Sequence, residues 1–355
     1  QDLDDEARFR AAVNAQFNLL ASEVVNLDVD PTPGIDRKLM VEFDGTPMLV
    51  DLWPHSVRAA GYQVFQDLGN GALIPVNPGP VRTVRGRVVN DPGSMVAGSV
   101  DERGLTATIR CTDGTICWIE PLANRVEGAL PGDHVVYDNE DVIPTEGHCG
   151  NEGDEVVPNE PEEVAPIGLD GPADGGGPLY CTQIAFDADY EFFLDYGTVI
   201  SVENRINLVT NTMAPQYETQ VSITYTITNI IVRSSPADPY TSSQSDTLLC
   251  EFITEWTNNQ QALSFDVAKL FTGKSIQGGT IGQAATIGDI CDRNGFCGGF
   301  SDDGAYCYSE NSCCGPISCA TDLMAHELGH LWDATHCDPC DTTMRSFLGC
   351  FNVFT

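Results

Sequence analysis

Three of the chain's six histidines fall in one run, His326-Glu327-Leu328-Gly329-His330-Leu331-Trp332-Asp333-Ala334-Thr335-His336. In a helix, His326 and His330 lie one turn apart on the same face, so both imidazoles can reach a single cation. Glu327 is turned aside from that pair, which suits a carboxylate that takes a proton from water rather than one that ligates. His336 lies six positions after His330 and can join the pair only if the chain reverses at once. Asp333 stands where that reversal must fall, and aspartate is among the few residues that tolerate a left-handed backbone. Three neutral imidazoles with a fourth position left to water form an open tetrahedral zinc site, of the catalytic rather than the structural kind.

Placing these side chains together requires a helix through the first two. Residues 320–332 contain no proline, and Leu323, Met324, Leu328, Leu331 and Trp332 supply apolar faces beside the ligands, so the pattern predicts one. Downstream, Thr342-Thr343-Met344-Arg345 holds the only methionine after the third histidine. With that methionine, the run resembles the metzincin metalloproteases, whose motif is H-E-x-x-H-x-x-G-x-x-H followed by a methionine turn beneath the zinc. The resemblance implies that His326, His330 and His336 bind Zn2+, that Glu327 is the general base, and that Met344 forms the turn. Asp333 replaces the motif glycine, and Cys337 stands where the adamalysin (reprolysin) branch usually has aspartate.

The rest of the C-terminal half extends the likeness. Phe265-Asp266-Val267-Ala268-Lys269-Leu270-Phe271-Thr272-Gly273 leads to Gly282-Gln283-Ala284-Ala285-Thr286-Ile287-Gly288 and Cys291, an order similar to the adamalysin catalytic domain. By that resemblance residues 281–287 form the edge strand beside the cleft, and Gly282, Gln283, Ala284 and Ala285 bind an extended peptide backbone to backbone. Arg345-Ser346-Phe347-Leu348-Gly349 would shape the primed side. Gln183 stands where the family often has an acidic Ca2+ ligand, which makes calcium doubtful. Gly273-Lys274-Ser275 lacks the upstream glycine of a phosphate loop, so nucleotide binding is excluded.

Composition bounds the setting. Fourteen cysteines in 355 residues point to a disulfide-bearing, secreted protein. The start Gln1-Asp2-Leu3-Asp4 has neither basic residues nor an apolar core, so any signal peptide is expected to have been removed. No run of about 18 apolar residues suggests a membrane span. A formal net charge of -35 argues against nucleic acid or anionic lipid as partner. The partners expected are a protein or peptide substrate and the chain's own propeptide acting as inhibitor.

Three segments are expected. Residues 151–178 are rich in acid, proline and glycine, without Lys or Arg, and read as an exposed linker. Before it, short strands at 38–43, 72–76, 81–89, 94–100, 105–111, 116–120 and 134–137, with Asp44-Gly45, Asn70-Gly71, Pro92-Gly93 and Asp113-Gly114 as turns, predict an antiparallel β-domain behind a helix over 4–25. After it, residues 179–355 predict a strand at 180–186, a helical segment from Tyr190 to Val209, a central strand at 221–232 and a helix at 246–258. The fold class is α+β. Within residues 1–150, Val84-Arg85-Gly86, Ser94-Met95-Val96-Ala97-Gly98-Ser99, Gly104-Leu105 and Ile119-Glu120-Pro121-Leu122 resemble a reprolysin-family propeptide. That implies a metzincin α/β catalytic domain with a mixed sheet over 179–355. The C-terminal end falls earlier than in an adamalysin domain, so truncation is expected.

Cysteine parity suggests an inhibitor. Cys111 and Cys117 can close a short loop, which leaves Cys149 over, in His148-Cys149-Gly150 just before the linker. This resembles the cysteine-switch element that ends metzincin propeptides, and a thiolate there would take the place of the catalytic water on zinc. The alternative is a disulfide to a downstream cysteine. No Lys or Arg lies between Arg125 and Arg205, so activation by furin-type cleavage in the linker is excluded. Two other functions compete with a latent endopeptidase: a catalytically idle zinc-containing adhesion or matrix module, and an always-active enzyme carrying a binding β-module.

Overall fold

A computed structural model describes residues 2–151, 179–297, 303–311 and 313–354. Apart from Asn151, the expected linker lies outside the described residues. The N-terminal half begins with α1 (Asp2–Phe17). Ten strands follow: β1 (Glu23–Asn26), β2 (Arg37–Phe43), β3 (Thr46–Pro54), β4 (Arg58–Asp67), β5 (Leu73–Val76), β6 (Thr83–Val88), β7 (Asp91–Asp101), β8 (Gly104–Arg110), β9 (Ile116–Pro121) and β10 (Asp133–Asp138). Strand β11 (His148–Cys149) ends that half. The C-terminal half comprises β12 (Tyr180–Ala188), α2 (Tyr190–Tyr196), α3 (Val199–Gln220), β13 (Ile223–Arg233), α4 (Ser245–Asn259), β14 (Val267–Thr272), β15 (Thr280–Ala284), β16 (Tyr306–Glu310) and α5 (Ile317–Leu331).

Two eight-stranded sheets result. The first, β1-β10-β9-β8-β7-β6-β3-β2, is antiparallel and lies wholly in the N-terminal half. Its edge strand β2 alternates buried and exposed residues, as a sheet with one wet face must. The second, β11-β15-β16-β14-β12-β13-β4-β5, mixes the halves. Strands β16, β14, β12, β13 and β4 run parallel, and every residue of β14 is buried, as expected of an inner parallel strand covered on both faces. The hairpin β4–β5 of the N-terminal half thus extends the sheet beyond β13, and β11 extends it beyond β15.

Helix α3 lies between the sheets, and each residue from Ile206 to Tyr217 is buried. One apolar cluster joins N-terminal Val13, Phe17, Trp118, Val135 and Tyr137 to C-terminal Ile206, Met213, Ile317, Leu323 and Leu348. Among the described residues no helix is long and apolar enough to cross a membrane.

Several expectations need correction. The first helix stops at Phe17 rather than at residue 25, because Asn18 turns left-handed (φ 52°) and Leu19 bridges to Val142; the β-branched Val24 and Val25 then pair with β10. The helical segment after β12 is two helices, since Gly197 at φ 74° closes α2 and the Thr198 hydroxyl caps α3. Cys111 and Cys117 are free thiols. The β8–β9 register sets Cys117 opposite Ile109 and turns it into the core, while Cys111 lies half-buried past the strand end. Disulfides join Cys250 to Cys297, Cys313 to Cys314, Cys319 to Cys350 and Cys337 to Cys340.

Candidate metal and catalytic site

Helix α5 carries the first two histidines, and all its residues from Ile317 to Leu331 are buried. It leaves the helical path where the sequence requires: Asp333 has φ 73°, and its N–H donates to the His330 carbonyl. The reversal brings His336 back to the face it would otherwise have passed. The Nε2 atoms of His326 and His330 lie 3.0 Å apart, those of His330 and His336 3.2 Å, and those of His336 and His326 3.3 Å.

The ring orientations are set from behind. His326 Nδ1 meets the Thr343 carbonyl at 2.6 Å, and His330 Nδ1 meets the Ala334 carbonyl at 2.8 Å. A carbonyl only accepts, so both Nδ1 atoms carry the proton and both Nε2 atoms present lone pairs. Burial depresses the pKa of both rings, His326 well below the ordinary value and His330 to about 4, with the neighbouring imidazoles adding to the effect. Neutral imidazoles whose lone pairs converge cannot satisfy one another; the donor set fits a divalent cation such as zinc. Together with Cys149 Sγ, the ligand atoms lie within 4.8 Å of one another, the one such group among the described residues.

The Glu327 carboxylate reaches the same place. Its Oε2 lies 3.7 Å from Cys149 Sγ, and its buried Oε1 has no hydrogen-bond partner. Burial pushes the carboxyl up to about 8, against the pull of the Lys269 ammonium. Strand β15 passes so close that a β-carbon at Gly282 would collide with the Glu327 carboxylate, which explains the glycine there. Met344 is buried with its sulfur packed against Gly329 of α5, the residue before His330. The Met344 carbonyl accepts from Cys337, tying the segment that supplies the Thr343 carbonyl to the chain just past His336.

The structure also places Gly282, Gln283 and Ala284 on β15, with Ala285 just beyond it. The edge they were expected to offer is covered. Residues 147–151 lie along it, β11 running parallel to β15, with Gly150 N donating to Gly282 O at 2.8 Å and Cys149 N to Ser346 O at 3.0 Å. Asn151 copies a backbone: its amide donates to Ala284 O and accepts from Ala284 N, each at 2.9 Å. Cys149 itself is buried, with Sγ 3.4 Å from His330 Nε2 and no disulfide.

Two residues beside the site were not singled out from sequence. Asn151 has no signature, since its role depends on the register of a two-residue strand. Lys269 falls within the phrase at 265–273 but was given no role there, yet it is fully buried, 3.5 Å from Cys307 Sγ, and its charge acts on the Glu327 carboxyl.

Residues 180–352 match the Reprolysin_5 model, described as Metallo-peptidase family M12. No curated protein matches the chain. Among solved structures, the chain is similar to metalloproteinase-II from Bacteroides fragilis, with 12% identity, coverage of 90% of this chain and 87% of that one, and a TM-score of 0.45. A chaperone-substrate complex aligns at 15% identity over 44% of this chain and 27% of that chain, with a TM-score of 0.33.

Proposed function

We propose that this metallopeptidase, matched to family M12 over residues 180–352, is a secreted zinc endopeptidase of the adamalysin/reprolysin branch, held latent by its own N-terminal half. The observation that carries the reading is the convergence of three imidazole Nε2 atoms and the Cys149 sulfur within 4.8 Å, beside a buried carboxylate. His326, His330 and His336 would hold the zinc. When bound, zinc supplies a Lewis acid that polarises the scissile carbonyl and acidifies water. Glu327 takes a proton from the attacking water and later returns it to the leaving amine. Strand β15 aligns the peptide through backbone hydrogen bonds, and the buried walls of the site keep competing water out.

Cys149 supports latency. Its sulfur stands where the attacking water would have to be, and residues 147–151 lie on the strand that would receive substrate. Activation then requires a cut between Asn151 and Leu179, by autolysis or by a protease that does not need Lys or Arg. Four disulfides support an oxidising, extracellular setting. The test is a casein digest with chain cut in the linker, beside Glu327→Gln. The wild type should hydrolyse casein and hold one zinc, while the variant keeps its zinc and loses at least ~100-fold in rate. A variant that hydrolyses at the wild-type rate overturns the assignment of the base.

A further inference from the structure

The contact between the two halves is built like the inside of a domain. Hairpin β4–β5 pairs with β13 in register, Asn229 with Gln63 through Arg233 with Asp67. At that seam Arg233 bonds Asp67 at 2.9 Å, and both side chains are at most 3% exposed. On α3, the fully buried Glu203 takes its partners from the N-terminal half: Arg58 at 2.9 Å, Tyr62 at 3.0 Å and the Gly79 amide at 2.8 Å. Asn211, equally buried, donates to the carbonyls of Val84 and Gly98.

The helix that carries the histidines leans on the same partner. Its N-cap is Pro316, which offers no side-chain bond, and the Glu120 carboxylate accepts from the Ile317 amide instead, at 2.9 Å. Tyr137 donates to Glu120, and the apolar cluster that holds Trp118, Val135 and Tyr137 also holds Ile317, Leu323 and Leu348. Polar bonds of this kind fix the register; the shared apolar surface supplies the affinity. Separation would uncap α5, expose Trp118 and open the β13 edge to water or to other chains.

Residues 147–151 differ from all of this. They are joined to the body through residues 143–146, none of which is buried, and they are held by hydrogen bonds to β15, two of them from the Asn151 side chain, and to residues 346–348 beside it. The chain can peel there without disturbing the core.

We propose that the N-terminal half is a permanent subunit of the working peptidase: a cut in the linker frees the strand at 147–151, while the rest stays bound as part of the second sheet and the common core. This rests on the reading of Cys149 as the blocking group, and the experiment separates the two. A recognition site for a sequence-specific protease is placed between residues 160 and 165 of the full chain, the chain is cut to completion, and native mass spectrometry and gel filtration follow at micromolar protein. The expected result is one particle holding both fragments, with no loss of the N-terminal piece on dilution and a single urea transition. Fragments that part without denaturant, the C-terminal one staying folded, overturn the proposal. Hydrolysis is read separately on the same material carrying Cys149→Ala. An intact, zinc-loaded but inert particle supports the subunit and overturns the peptidase reading; separated fragments with full activity do the reverse.

Discussion

The two flanks of the second sheet are covered by the same half of the chain in opposite ways. On one side a strand of two residues, β11, lies on β15; on the other a strand of ten, β4, lies on β13 and is backed by β5. The near flank has backbone bonds and one buried sulfur; the far flank has a buried arginine, a register of several pairs and apolar neighbours on both faces. Parallel pairing supplies hydrogen bonds in both places. What differs is how much surface is lost from water when the contact forms, so strand addition can serve as a latch or as a seam depending on what stands behind it.

The harshest way to break the seam is Arg233→Ala. That guanidinium faces Asp67, Asp187 and Glu255 at 2.7–3.0 Å, and its loss leaves those carboxylates buried without a cation. The cost should be about 3–5 kcal/mol. A urea melt of the uncut chain should show the midpoint falling with the slope unchanged, and a midpoint that does not move removes the far flank from the argument. Next in size is Glu120→Ala, which uncaps α5 and takes from Tyr137 and Arg125 their carboxylate partner. It should cost about 2 kcal/mol, and Glu120→Gln, which keeps an acceptor for the Ile317 amide, less than half of that. Equal losses would show that charge, not capping, is what Glu120 provides.

The latch is tested by removing the metal instead of a side chain. If Cys149 is held by zinc, chelation should leave residues 147–151 with only their hydrogen bonds to β15 and to residues 346–348. Hydrogen exchange at Gly150 and at the Ala284 amide held by Asn151 should then quicken by roughly 10-fold or more, while the β13 amides paired with β4 stay protected. Equal acceleration on both flanks would erase the distinction between them.

How far the sequence reached follows the same division. The histidine run was legible because four positions in a helix and a tolerated left-handed residue fix the geometry locally, and Asp333 behaves as that reading requires. Strands β3 and β4 were not anticipated. Pro47 and Pro54 sit at or near the ends of β3, and Gly61 with two alanines dilutes the apolar alternation of β4. Nothing within β4 says that its partner is β13, more than 150 residues away, because that pairing is decided by packing and by a buried ion pair whose members read as separate surface charges. Lys269 escaped for a related reason: a lysine in a strand is expected to reach water, and only the fold shows that it does not.

The smallest expected effect concerns pH at the seam. His55 follows β3, where its N–H donates to Thr83 O, and its ring feels Arg85 from β6 and Glu218 from α3. Burial, reinforced by the Arg85 charge and opposed by Glu218, lowers its pKa to about 4. A histidine with a depressed folded-state pKa binds its proton more tightly when unfolded. Its contribution is therefore fully present above the unfolded value of 6.5 and is lost as pH falls from there toward 4. The ring is only partly buried, so the loss should be roughly 1 kcal/mol after allowing for solvent screening. His55→Gln cannot take up that proton, and urea midpoints measured between pH 7 and 4.5 should fall less steeply for it than for the wild type. Parallel curves would mean that the ring is solvated at the junction, and that this corner of the seam is looser than the ion pair at Arg233.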